Sequence, residues 1–122
     1  MRNLLRKVRQ KWAYSLVGLW TAFKEEKSLW GYLTFVPILI ALGVWTELST
    51  MQWALVMTII FVVFSIEIMN TALESAVDAI SFQYNIKVKK IKDIAAGATL
   101  TISTGAFISI MLIYIPMIIS KV

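Results

Sequence analysis

The sequence predicts an all-α integral membrane protein, with an N-terminal amphipathic surface helix followed by three transmembrane helices. Three observations predict it. The chain has 122 residues, of which 59% are hydrophobic, a content above that of ordinary soluble domains and enough for one domain at most. Three long apolar stretches, about 29–48, 51–78 and 94–119, each match or exceed the ~20 residues that cross a hydrocarbon core of ~30 Å. The basic residues are unevenly placed: seven of the 12 Lys and Arg precede Ser28, four lie between Lys87 and Lys92, and Lys121 alone is near the C-terminus. By the positive-inside rule this distribution places the N-terminus in the cytoplasm and the C-terminus outside.

The surface helix is expected over about residues 2–24. Leu5, Val8, Trp12, Leu16, Leu19 and Phe23 recur three or four apart, while Arg2, Arg6, Lys7, Arg9 and Lys11 crowd the first half. Such a helix lies in the interface with its apolar side down and its cations toward anionic headgroups. No uninterrupted apolar core or small-residue cleavage site follows Arg9, so removal as a signal peptide is not expected. Lys24-Glu25-Glu26-Lys27-Ser28 breaks the pattern and marks the bend into the first span. That span holds Pro37, a candidate kink, and the interfacial anchors Trp30, Tyr32 and Trp45 near its ends.

A short outer turn, Thr46 to Thr50, leads to a second helix from about Met51 to Ile80. Its purely apolar part, Trp53 to Ile66, is 14 residues, which at 1.5 Å each gives about 21 Å. Crossing therefore brings Glu67 to the inner boundary. Ser81 to Ile91 is expected as a loop or frayed helix on the inner side, with four lysines close by. The third span begins at Lys92-Asp93 with small residues, Ala95 to Ala98, that allow close backbone approach. Pro116 shapes its outer end.

Composition limits the chemistry. Without Cys or His there are no disulfides, thiolates, zinc sites or Ser-His nucleophiles, which leaves carboxylates, amides, hydroxyls and lysines. Neither a Walker A sequence nor a kinase glycine-rich loop is present. The basic clusters flank apolar spans, an arrangement that argues against nucleic-acid binding.

The second helix carries the chemistry. At about 100° per residue, Glu67, Asn70, Thr71, Glu74 and Asp78 fall within an arc of roughly 100°. Carboxylates at the edge of a bilayer are expensive and mark function. Like charges on one face repel, so the face requires bound protons or a cation. Mg²⁺ suits it, taking carboxylate oxygens while keeping positions open for phosphate. Three other readings stand beside this one: a solvated polar helix end in the headgroup region, the lining of an ion path, and polar glue in a structural subunit. Against the ion path, the acids occupy only the inner end, and no polar relay continues outward.

The string Glu67-x-x-Asn70-Thr71-Ala72-x-Glu74-x-x-Val77-Asp78 resembles the signature of the small prokaryotic diacylglycerol kinase family, which includes the undecaprenol kinases. Lys92-Asp93-Ile94-Ala95-Ala96-Gly97-Ala98 resembles the family's second motif, and Glu25-Glu26 after Gly18-Leu19 is a weaker third match. The resemblance spans about Tyr14 to Leu100. It implies a homotrimer in a bacterial inner membrane, with active sites between subunits, that moves the γ-phosphate of ATP to a lipid hydroxyl.

Carried over position by position, the resemblance makes Glu67 the base toward the lipid hydroxyl, with Asn70 orienting it or the phosphate. Glu26 and Glu74 become the Mg²⁺ ligands. Lys92, Asp93 and Tyr14 face ATP, with Asp93 orienting Lys92 or the nucleotide. Each has a plainer alternative: Lys92 as an orientation lysine, Asp93 at a helix N-terminus, Tyr14 as an interfacial aromatic, and Glu25 in place of Glu26. The family often has Arg or Asn just after the acidic pair, where this chain has Lys27-Ser28-Leu29-Trp30. Two lipids, undecaprenol and diacylglycerol, present a suitable primary hydroxyl. The run Gly18 to Lys27, chiefly its Phe-Lys-Glu-Glu, looks more like the undecaprenol kinases, and an apolar groove is expected near Leu29, Trp30 and Leu33.

Overall fold

A computed structural model of the chain describes residues 1–80 and 85–122, and these form four helices. The first, α1, is Arg2–Glu25. Three further helices are long and apolar enough to cross a membrane: α2 (Lys27–Thr46), α3 (Thr50–Ile80) and α4 (Ile86–Lys121). The expected architecture of one amphipathic helix and three spans is therefore present. The stripe residues Leu5, Val8, Trp12, Leu16 and Leu19 are exposed along α1, as a face toward lipid requires.

Only Glu26 separates α1 from α2. Its backbone is extended (φ −112°, ψ 108°), its N–H still bonds Ala22 O at 2.9 Å, and its carboxylate accepts from Ser28 N. This side-chain cap satisfies an otherwise orphaned donor and starts α2 two residues earlier than the expected Leu29. The end of α1 is pinned by aromatics. Trp30 Nε1 donates to Phe23 O at 2.6 Å, and Phe23 packs edge-on against Trp30 at 5.4 Å and along Phe64 at 6.1 Å. Trp30, expected as an interfacial anchor, thus also ties α1 to α2.

The expected first span runs to residue 48, but α2 ends at Thr46. Glu47 adopts a left-handed conformation (φ 59°, ψ 53°), with its N–H on Gly43 and Val44 carbonyls, and Leu48 N bonds Gly43 O at 3.0 Å. This is a Schellman closure with glutamate in the place glycine usually takes. Pro37 lies inside α2 without ending it. The start of α3 is closed reciprocally: Gln52 N donates to Ser49 Oγ, and Ser49 N to Gln52 Oε1, a capping box.

Of the loop or frayed helix expected over Ser81 to Ile91, residues 81–84 lie outside the described residues and 86–91 are the first turns of α4. Asn85 makes that early start possible, since its side chain accepts from Val88 N at 3.0 Å. At 36 residues α4 is about 54 Å long, so its basic first turns stand outside a ~30 Å core.

The core sits at the end of the bundle where α2 turns into α3. Val56 is fully buried, Tyr114 is 2% exposed, and Leu48 completes the cluster, with Leu39, Leu42 and Trp53 packed around it. Tyr114 Oη donates to Leu39 O at 2.7 Å, linking α4 to α2.

A candidate active site at the polar end of α3

Three elements converge on Glu67. Thr71, buried one turn on, bonds its backbone carbonyl (Oγ1 to O, 3.1 Å), which keeps this part of the face free of an unsatisfied hydroxyl. Ser28, in the first turn of α2, puts its hydroxyl 2.8 Å from Glu67 Oε1 and 3.1 Å from Glu26 Oε1. The one-residue link between α1 and α2 thus brings Glu26 and Glu67, 41 positions apart in sequence, to the two sides of one hydroxyl. Both carboxylate side chains are half-buried.

Further along the same face, Asn70 Nδ2 donates to Glu74 Oε1 at 3.2 Å. Its amide oxygen, Oδ1, is buried and has no hydrogen-bond partner among the described residues. A buried amide oxygen without a donor is costly unless something else binds it. The last acid of the face, Asp78, pairs with Lys92 Nζ of α4 at 2.6 Å. That hydrogen bond raises the Lys92 ammonium above its ordinary value, against a smaller opposing effect of desolvation. Asp93 pairs with Lys89 rather than with Lys92.

The structure therefore joins Glu26 to Glu67, Asn70 to Glu74, and Lys92 to Asp78. The amide hydrogen of Asn70 serves Glu74, and Tyr14 is exposed on α1. Glu25 lines a cleft of about 610 Å³ between α1 and α3 with Ser15, Gly18, Thr71 and Ser75, so the two members of the acidic pair serve different places. Among the described residues no three Asp or Glu side chains gather as a metal-holding group. Glu26, Glu74 and Asn70 Oδ1, which has no partner among the described residues, all offer hard oxygens. They fit Mg²⁺, which binds through one or two carboxylates and leaves the rest to phosphate and water.

Two features were not legible in the sequence. Ser28 gives no signal beyond lying in the stretch Lys27 to Trp30, where the family often has Arg or Asn, and serine near a helix start ordinarily reads as a cap. The apolar groove is also displaced. Leu29 is fully buried and cannot face a lipid chain; an apolar cleft of about 320 Å³ opens instead between the spans, lined by Tyr32, Phe35, Ile60, Phe64, Phe107 and Ile110.

Residues 13–114 match the family described as prokaryotic diacylglycerol kinase. An undecaprenol kinase of Bacillus subtilis is 29% identical over 115 residues, covering 94% of each chain. A diacylglycerol kinase of Pseudomonas aeruginosa is 26% identical over 111 residues (88% of this chain, 90% of the relative), and one of Helicobacter pylori is 30% identical over 87 residues (71% and 68%). These relatives are kinases, so the ion-path and structural readings of the acidic face are set aside. With a matching span that takes in Glu26, the whole polar face of α3 and Lys92, the chain belongs to the prokaryotic diacylglycerol kinase family and is a lipid kinase.

Proposed function

We propose that the protein transfers the γ-phosphate of ATP to the primary hydroxyl of undecaprenol, giving undecaprenyl phosphate. The observation that carries the chemistry is Glu67, held by Ser28 at the inner end of a 14-residue apolar run and opposite Glu26. At that depth a lipid headgroup and a water-soluble donor can meet. Glu67 accepts the hydroxyl proton as the lipid oxygen bonds the γ-phosphorus, and the bond to the bridging oxygen breaks to release ADP. Lys92 offers a point charge to phosphate oxygens, Asp93 and Tyr14 contact the nucleotide, and Asn70 orients Glu74 and the phosphate. Glu26 and Glu74 would hold Mg²⁺, which when bound neutralises charge on the phosphates.

Two observations favour the polyprenol. The run Gly18 to Lys27 resembles the undecaprenol kinases, and the Bacillus subtilis relative, an undecaprenol kinase, aligns over 94% of the chain. The apolar cleft, with Phe64 one turn from Glu67, offers surface to a chain that has no ester carbonyls. Diacylglycerol, giving phosphatidic acid, is the second reading. The test is kcat/KM for undecaprenol and diacylglycerol in mixed micelles with ATP and Mg²⁺; a preference for diacylglycerol would replace the substrate and leave the kinase.

We place the N-terminus in the cytoplasm, since eleven of the 12 basic residues then lie inside, and we expect a homotrimer. A reporter active only in the cytoplasm should stay silent when fused to Val122, and a signal would invert the orientation. Chemical cross-linking in detergent should stop at three chains.

A further inference from the structure

We infer that the Ser28 hydroxyl is a positioning residue for Glu67, acting through the carboxylate rather than on substrate. This rests on the reading of Glu67 as the base. The contact joins residues 39 apart in sequence, and nothing about the helix start of α2 requires it. Capping there is already supplied by the Glu26 carboxylate, which accepts from Ser28 N at 3.4 Å.

A hydroxyl has one proton and two lone pairs, while an ionised carboxylate only accepts. Ser28 Oγ stands 2.8 Å from Glu67 Oε1 and 3.1 Å from Glu26 Oε1. It can therefore donate to one of the two at a time, and the shorter contact assigns the proton to Glu67. The donation fixes one carboxylate oxygen of Glu67 and so sets the direction of the other, while the Ser28 main chain keeps hold of Glu26. Charge-assisted bonds of this kind are the stronger and more directional ones. Glutamate has three side-chain torsions, and without this donor the base is free to turn away from the reacting hydroxyl. Because α2 carries Ser28 and α3 carries Glu67, the bond also fixes the base relative to Glu26 in the link ahead of α2.

The experiment compares Ser28→Thr, which keeps the hydroxyl, with Ser28→Val, which has the same shape without it, in the full chain with ATP, Mg²⁺ and lipid. Ser28→Val should lower kcat about 10- to 100-fold with KM for lipid within about twofold, the size expected for a misplaced catalytic group. Ser28→Thr should restore most of the loss, and thermal unfolding of the two should coincide. In a Glu67→Gln background Ser28→Val should add no further loss, since it acts through that residue. Equal activity of the Val and Thr variants, whether both high or both low, overturns the inference, because the hydroxyl would then not matter. If the Val protein does not accumulate, Ser28→Ala is compared with Ser28→Thr by the same criteria. Glu67→Gln alone separates the two ideas: if it stays active the reading of the base fails, and if it is inactive while Ser28→Val is normal only the positioning role fails.

Discussion

In the orientation proposed above, the two ends of the helix bundle, outer and inner, are built on opposite rules. At the outer end Val56 and Tyr114 are enclosed, the Trp53 ring lies against Gly43, and turns are closed by a Schellman motif and a capping box. At the inner end Ser28 joins Glu26 to Glu67 and Asn70 meets Glu74, all half-buried, with one amide oxygen lacking a donor among the described residues. The same helices run through both. Packing at one end holds the spans together, which lets the other keep like charges and unsatisfied groups that would not persist in an isolated helix pair.

The largest expected effect breaks the inner end and leaves the outer one alone. Glu67→Gln removes a proton acceptor with almost no change of shape, so kcat should fall by about 10²–10⁴, the usual worth of general-base catalysis. Assembly and nucleotide affinity should persist. Retention of more than about a tenth of wild-type turnover, with ATP and Mg²⁺ saturating, would reassign the base.

The converse substitution attacks the outer end. A Cβ on Gly43 would lie 2.5 Å from Trp53 Cη2, 2.8 Å from Cζ2 and 3.1 Å from Leu48 Cδ1, so the indole has to move. Gly43→Ala should destabilise by about 1–3 kcal/mol, typical of overpacking. Thermal unfolding in detergent measures it, and the folded fraction should keep its wild-type kcat. If kcat falls in proportion to stability, the two ends are coupled and the comparison fails.

Much of the inner end was legible because its signal is local. Glu67, Asn70, Glu74 and Asp78 are spaced three, four and four apart, so the helical period alone puts them on one face. The four-helix layout followed from apolar length. What stayed hidden depends on distant contacts or on a residue in an unusual place. Ser28 meets Glu67 at the tight join where a single extended residue links α1 to α2, and Leu29, next in the chain, is fully buried. Ser81 to Ile91 reads as a loop or frayed helix because of its lysines, although Asn85 is a sound helix cap three residues before Val88. The end of α2 was misplaced because Glu47 takes a left-handed conformation that sequence reading assigns to glycine.

That residue supplies the smallest effect. A left-handed backbone costs an ordinary L-residue roughly 1 kcal/mol or more, and glycine is relieved of it. Opposing this, Glu47→Gly removes the ion pair of Glu47 with Lys121 at 3.2 Å. The Glu47 side chain is 79% exposed, and pairs of that kind contribute about 0–1 kcal/mol. Glycine also gains freedom in the unfolded chain, which offsets part of the benefit. The net should be a stabilisation of about 0.5 kcal/mol, read as a small rise in Tm with kcat/KM unchanged. Glu47→Ala separates the contributions, since it loses the ion pair and keeps the strain, so its Tm should fall below that of wild type. If glycine lowers Tm as much as alanine does, the pair to Lys121 outweighs the turn, and the outer end is held by charge as well as by packing.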